Sequence, residues 1–132
     1  MANDLLQYGI YENKTLYTRL PIFDDYLMPH LIRGILDGDG NIKAHQFGNR
    51  YAHAISFCGT HELMSGIKEY LVNTLGVFPS IVFDYDDRHL SEVKWQSIKD
   101  MYKIGEWMYR DANIYLTRKH DKYLDFKKHY KL

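Results

Sequence analysis

The chain has 132 residues carrying 17 basic and 17 acidic side chains, so its formal net charge is zero. That length suits one domain with a real core, and the neutral balance argues against a binder that relies on bulk charge. The single cysteine, Cys58, excludes an internal disulfide framework and makes a zinc–cysteine site a poor fit.

Residues 1–23 read as an irregular lead-in, with a short helix over Asp4 to Tyr8 and breaks at Asn13-Lys14 and Pro21. One domain over 24–132 follows. Its first helix has Pro29 in the first turn, then Leu31, Ile32, Ile35 and Leu36 at helical spacing, and stops at Gly38 and Gly40. Two strands, Asn41 to Phe47 and Tyr51 to Cys58, flank a hairpin turn at Gly48-Asn49-Arg50. Thr60 reads as the N-cap of a helix through Leu63, Ile67, Tyr70 and Leu71 that ends at Gly76. A second strand pair, Ser80 to Tyr85 and Leu90 to Gln96, encloses the turn Asp86-Asp87-Arg88-His89. Ser97 caps a third helix with Ile98, Met101, Tyr102, Ile104 and Trp107. A last helix spans about Tyr115 to Tyr130, with Leu116, Tyr123, Leu124 and Phe126 as its apolar side. The order is α-β-β-α-β-β-α plus a closing helix, an α+β arrangement. Two hairpins then form one antiparallel four-stranded sheet, with helices on one face and the other face open to a partner.

Charge is unevenly spread. From Arg110 onward seven basic residues face three acids, a net of 7 − 3 = +4, while residues 1–40 hold three basic residues and six acids, a net of 3 − 6 = −3. No run of about eighteen apolar residues exists, so no membrane span is expected. The start, Met-Ala-Asn-Asp-Leu-Leu, lacks the basic-then-apolar pattern of a signal peptide. The lone cysteine fits a reducing, intracellular compartment.

The most informative segment is Ile32-Arg-Gly-Ile-Leu-Asp-Gly-Asp-Gly40. It joins an apolar helical face, two glycines four residues apart (Gly34 and Gly38) and two aspartates at a helix C-terminus (Asp37 and Asp39). Acids at that end oppose the helix dipole unless a cation sits with them. A calcium loop of the EF-hand type is excluded, because its sixth position is Ile42 where glycine is needed and its twelfth is Gly48 where glutamate is needed.

The nonamer resembles the LAGLIDADG motif of homing endonucleases. Gly34, Asp37, Asp39 and Gly40 match it outright, Ile32, Ile35 and Leu36 are aliphatic variants, and Gly38 and Arg33 stand where the motif has alanine. The segments Leu20 to His30 and Asn113 to Lys119 look like family flanking and closing segments, so the resemblance covers roughly residues 20–126. It implies the α-β-β-α-β-β-α fold, with two motif helices packed side by side. One motif per chain implies a homodimer through Ile32, Gly34, Ile35 and Gly38. It further implies a sequence-specific, metal-dependent staggered double-strand cut in DNA. By position in the motif, Asp39 with the Gly38 carbonyl would hold Mg²⁺, or Mn²⁺ or Ca²⁺ in the same site, and Asp37 would cap and orient. Catalytic partners expected beside Asp39 are Lys94, Arg118, Lys119, Ser56 and Thr60; Thr117 stands where many relatives have lysine.

Double-stranded DNA would lie on the open sheet face. Strand alternation sends Lys43 and His45 outward on the first strand and Lys94 and Gln96 outward on the fourth. The turn residues Asn49, Arg50 and Arg88 would extend that surface. On the second strand the outward set is either Ala52, Ala54, Ser56 and Cys58, or Tyr51 and His53. Expected locations are the cytoplasm of a bacterial or phage-infected host, or an organelle encoding the gene. Two rival readings are a non-cleaving nucleic-acid binder such as an intron RNA maturase, and a small interaction domain with a structural cation.

Overall fold

The computed structural model describes residues 20–85 and 90–132. The expected lead-in helix over Asp4 to Tyr8, the turn at Asp86 to His89, and Arg88 with it, lie outside the described residues. Helix α1 spans Met28–Asp39, with Pro29 in its first turn where a missing N–H costs nothing. Gly40 follows it in extended backbone, and its N–H bonds the Leu36 carbonyl. A Cβ at Gly40 would lie 2.8 Å from the Ser56 carbonyl oxygen, so only glycine lets α1 end this close to the sheet.

Strand β1 (Asn41–Phe47) turns through Gly48, at φ +59°, into β2 (Arg50–Thr60). Thr60 ends the strand and caps α2 (His61–Leu75), its Oγ1 accepting from the Leu63 N–H. Gly76, at φ +69°, closes α2 in the left-handed conformation favoured after helices. Strands β3 (Ile81–Tyr85) and β4 (Leu90–Trp95) follow. Ser97 caps α3 (Ile98–Tyr109) through the Asp100 N–H, and α4 spans Thr117–Tyr130.

The four strands form one antiparallel sheet in the order β1-β2-β4-β3. The second strand of each hairpin is therefore central, with Ile55 opposite Trp95 and Ser56 opposite Lys94. Ile42, Ile55, Phe57, Val93 and Trp95 share the face covered by the helices and are buried in one core with Leu31, Ile32, Leu36, Ile67, Leu71, Met101, Ile104 and Phe126. Leu20 joins that core and packs against Gly66.

The closing helix differs from its expected apolar side. Tyr123 and Phe126 are buried, but Leu124 is 44% exposed and Leu116 37% exposed, while Lys119 takes the third buried place. A face spaced 119, 123, 126 holds one helical stripe, and Leu124 lies off it. Gly105 of α3 lets Tyr123 come in: a Cβ there would sit 2.1 Å from the tyrosine ring.

Candidate functional site

The C-terminus of α1 is built by contributions from far along the chain. A helix end leaves carbonyls without intrahelical donors, and the last turn of α1 holds no basic residue of its own. Lys119, only 8% exposed, brings its Nζ to the carbonyls of Leu36 at 2.6 Å, Asp37 at 3.0 Å and Gly40 at 2.7 Å. The ammonium satisfies the orphan oxygens and opposes the negative end of the helix dipole. Lys119 thus sits at the α1 end with three donations directed to backbone carbonyls. The Gly38 carbonyl is not among its acceptors.

The two aspartates have different settings. Asp39 is exposed to solvent. Asp37 turns inward: its Oδ2 accepts from the Leu116 N–H at 2.9 Å, tying α1 to the segment that leads into α4. Its Oδ1 is buried with no hydrogen-bond partner among the described residues, as is the hydroxyl of Tyr109. Burial first, and then the Asp37 charge, push the Tyr109 hydroxyl well above its ordinary pKa.

Arg33, where the motif has alanine, is 2% exposed. Its Nη1 donates to the Met108 carbonyl at 2.6 Å, its Nε to the Ile114 carbonyl at 3.0 Å, and its Nη2 to His30 Nδ1 at 2.7 Å. A guanidinium is donor-only, so His30 Nδ1 must be the unprotonated nitrogen. Burial, followed by the Arg33 charge, accordingly lowers the His30 pKa. Burial also lowers that of Arg33 itself, with Asp37 opposing. In the sequence Arg33 stands out only as a departure from the motif. The available signal was a strong base inside an apolar helical stripe, which has to find buried acceptors.

The expected dimer stripe divides in two. Gly34 and Gly38 are exposed, and nothing lies within 4 Å of a Cβ built on Gly34. Ile35 is half-buried beside them. Ile32 is fully buried in this chain's own core and is corrected from an interface residue to a core residue, since it has no surface to offer a partner. Ile114, Tyr115 and Leu116 run alongside α1, joined to Arg33 and Asp37 by the bonds above, and all three are exposed apolar residues.

The open sheet face gathers several expected residues. Register places Asn41, Lys43, His45 and Phe47 of β1 with Ala52, Ala54, Ser56 and Cys58 of β2 and Glu92 and Lys94 of β4. The second strand's orientation is thereby settled. Tyr51 and His53 turn to the helices, with Tyr51 stacked on His129 at 3.6 Å and His53 against Met101 and Phe126. Lys43 is exposed, while His45 and Lys94 are half-buried. Gln96, just past β4, and Asn49 and Arg50, at the β1–β2 turn, are exposed. Ala54 and Ser56 are buried although no helix among the described residues covers this face; their short side chains lie opposite the long Lys43 and Lys94. Ser56 is a floor residue, and Thr60 is engaged as the α2 cap. Arg118 is exposed in the first turn of α4.

The acids border this face. The Cys58 thiol is pushed up first by burial and then by the charges of its cross-strand partner Glu92 and of Asp39, so Asp39 lies within electrostatic reach of Cys58. Among the described residues no group of three or more His, Cys, Asp or Glu side chains is placed to hold a metal. A single chain offers the Asp39 carboxylate and the Gly38 carbonyl at this point. Oxygen donors of that kind suit a hard divalent cation completed by further oxygens.

No protein-family profile matches the sequence, and no curated protein does. Solved structures do. The homing endonuclease I-CvuI, in complex with the I-CreI target and Mg, matches with TM-score 0.55 and 18% identity over 78% of this chain and 65% of that one. The archaeal intron-encoded homing endonuclease I-Vdi141I, complexed with DNA, matches with TM-score 0.59 and 13% identity over 80% and 67%. The LAGLIDADG homing endonuclease I-GzeII, in complex with its DNA target, matches with TM-score 0.61 and 12% identity over 99% of this chain and 44% of that one. The fold is that of the LAGLIDADG homing endonucleases, the family whose motif the nonamer resembles. The chain spans about two thirds of I-CvuI and under half of I-GzeII.

Proposed function

We propose that the chain is a sequence-specific homing endonuclease that makes a metal-dependent staggered double-strand cut in DNA as a homodimer. The observation that carries this reading is the exposed Asp39 at the end of the nonamer helix, bordering an open four-stranded face that displays Lys43, His45 and Lys94. The solved structures of this fold in complex with DNA support the same reading.

In this proposal two α1 helices approach along Gly34, Ile35 and Gly38, where absent side chains allow close backbone contact. The match to under half of I-GzeII fits a chain that supplies one of two units. Each copy contributes Asp39 and the Gly38 carbonyl to a site for Mg²⁺, or for Mn²⁺ or Ca²⁺. A cation there supplies activation of water and stabilisation of the leaving oxygen. The chain's own residues do the rest. Lys119 fixes the helix end that presents Asp39, and Asp37 fixes it to the segment before α4. Lys43, Lys94, Asn49 and Arg50 contact phosphates or guanine, while His45 and Gln96 read base edges in the major groove. Arg118, exposed beside the buried Lys119, is the basic side chain at this end of α4 able to reach a phosphate.

The test is cleavage of a randomised duplex library in Mg²⁺ by the natural protein and by Asp39→Asn. Cleavage of a pseudo-palindromic subset, abolished in Asp39→Asn, is expected. If the natural protein cuts no site in the library while binding intron RNA tightly, the nuclease reading gives way to the maturase. Sedimentation adds the assembly: a dimer at micromolar concentration, lost in Gly34→Leu, is expected, and a monomer would remove the shared site.

A further inference from the structure

The basic excess after Arg110 is not absorbed by the open sheet face. Lys119 is spent on the end of α1. Of the six others, Arg110 and Lys127 border a cavity of about 760 Å³ among α2, α3 and α4, in the helical layer on the other side of the sheet. That volume is in the range of small-ligand sites. Its wall includes the rings of Tyr102, Trp107 and Tyr109 and the cations Lys103, Arg110 and Lys127.

The cavity's one carboxylate is already answered. Glu106 accepts from the Tyr123 hydroxyl at 2.8 Å and from Lys127 Nζ at 3.1 Å. Burial works to raise the Glu106 pKa, but these two bonds, with the nearby charges of Lys127 and Arg110, outweigh it and hold the group ionised below its ordinary range. Lys127 also lies 5.5 Å and 6.0 Å from the ring centroids of Tyr123 and Tyr102. Lys127 is thus bonded to Glu106, and the other cations of the wall are Lys103 and Arg110. Among the described residues neither of those two side chains has a hydrogen bond or an ion pair. Trp107 is held by a tilted ring contact with Tyr70 at 6.0 Å.

Aromatic faces next to two uncommitted cations match one ligand chemistry: a flat unsaturated ring joined to an anion. We propose that this cavity binds a nucleotide, its base against the Tyr102–Trp107 wall and its phosphate on Lys103 and Arg110. Stacking needs an unpaired base, because paired bases in a duplex keep their faces covered. The nucleotide is thus either free or part of a single strand, and a DNA duplex is not the ligand. The site goes beyond the nuclease reading and does not rest on it, because it lies on the opposite side of the sheet and needs no cut.

The experiment follows Trp107 fluorescence in the full chain, Trp95 being fully buried elsewhere in the core. AMP, a uridine octanucleotide and a blunt DNA duplex are titrated separately. Saturable quenching by AMP identifies a free nucleotide as the ligand source, and quenching by the octanucleotide alone identifies a single strand. Lys103→Ala with Arg110→Ala, both exposed and outside the core, should raise the half-saturating concentration at least about tenfold. Circular dichroism of the double variant should be unchanged. No quenching by AMP or octanucleotide up to millimolar concentration overturns the proposal. So does unaltered affinity in the double variant, or competition by the duplex at equal strength.

Discussion

Two helix ends in this molecule solve the same problem with different chemistry. Neither α1 nor α3 carries a basic residue in its last turn, and each imports a buried cation from elsewhere. At α1 the ammonium of Lys119 gathers three carbonyls of one terminus. At α3 the guanidinium of Arg33 takes one carbonyl and spreads its other donors to Ile114 and His30, joining three segments. A compact point charge suits the first task and a rigid fork the second. The difference separates presentation from assembly: the α1 end is left with an exposed Asp39, whereas the α3 end is closed into the structure.

The sharpest way to break this comparison is Lys119→Met. It leaves the α1 carbonyls without their donor and should cost about 3 kcal/mol of stability in urea unfolding. A loss below about 1 kcal/mol would mean that water replaces the ammonium easily. Gly105→Ala comes next, because its methyl would meet the Tyr123 ring that packs α4 on α3. About 2 kcal/mol is expected, measured the same way. Arg33→Lys preserves charge but not the fork, and should cost about 1.5 kcal/mol. A neutral result would show that charge alone, not geometry, closes the α3 end.

Acid should distinguish the ends further. His30, His53 and His120 all have pKa values lowered from the ordinary 6.5, burial being the first cause each time. The unfolded chain binds protons near that pH that the folded chain refuses. Their contribution to stability is therefore complete above pH 6.5 and is lost as pH falls through the folded values. Thermal unfolding followed from about pH 7.5 to 5.5 should show the decline. His30→Gln, which keeps an acceptor for Arg33 without a titrating ring, should flatten part of it. An unchanged slope would remove His30 from the account. The smallest effect is expected at Gly34→Ala in the open stretch of α1. A monomer should gain about 0.5 kcal/mol from helix propensity, so any loss of stability with dilution reports a close helix partner.

Much of this was legible along the chain where the signal is local. Thr60 and Ser97 are caps, Gly76 is a helix stop, Gly48 turns a hairpin, and each depends on residues within a few positions. Alternation likewise placed Lys43, His45 and Lys94 on one side. The polar network was not legible, because its partners lie far apart. Lys119 reaches Leu36 across 83 residues and Arg33 reaches Met108 across 75. A lysine in a hydrophilic helix gives no local reason to be buried, so Leu124 looked like the better core residue. Ile32 and Ile35 are equally apolar, and only packing decides that the first faces inward. Read without its neighbours, a helix with apolar residues toward two directions does not say which direction meets the sheet.

The 83-residue span between Lys119 and Leu36 also sets an order of events during synthesis. At ordinary translation rates the lysine leaves the ribosome on the order of ten seconds after the helix end it must close. Throughout that interval the acids of α1 have no ammonium behind them, and Asp39 is not yet held in place. The helix that carries Lys119 thus acts as a latch, so the acidic terminus is organised only once translation has passed that lysine.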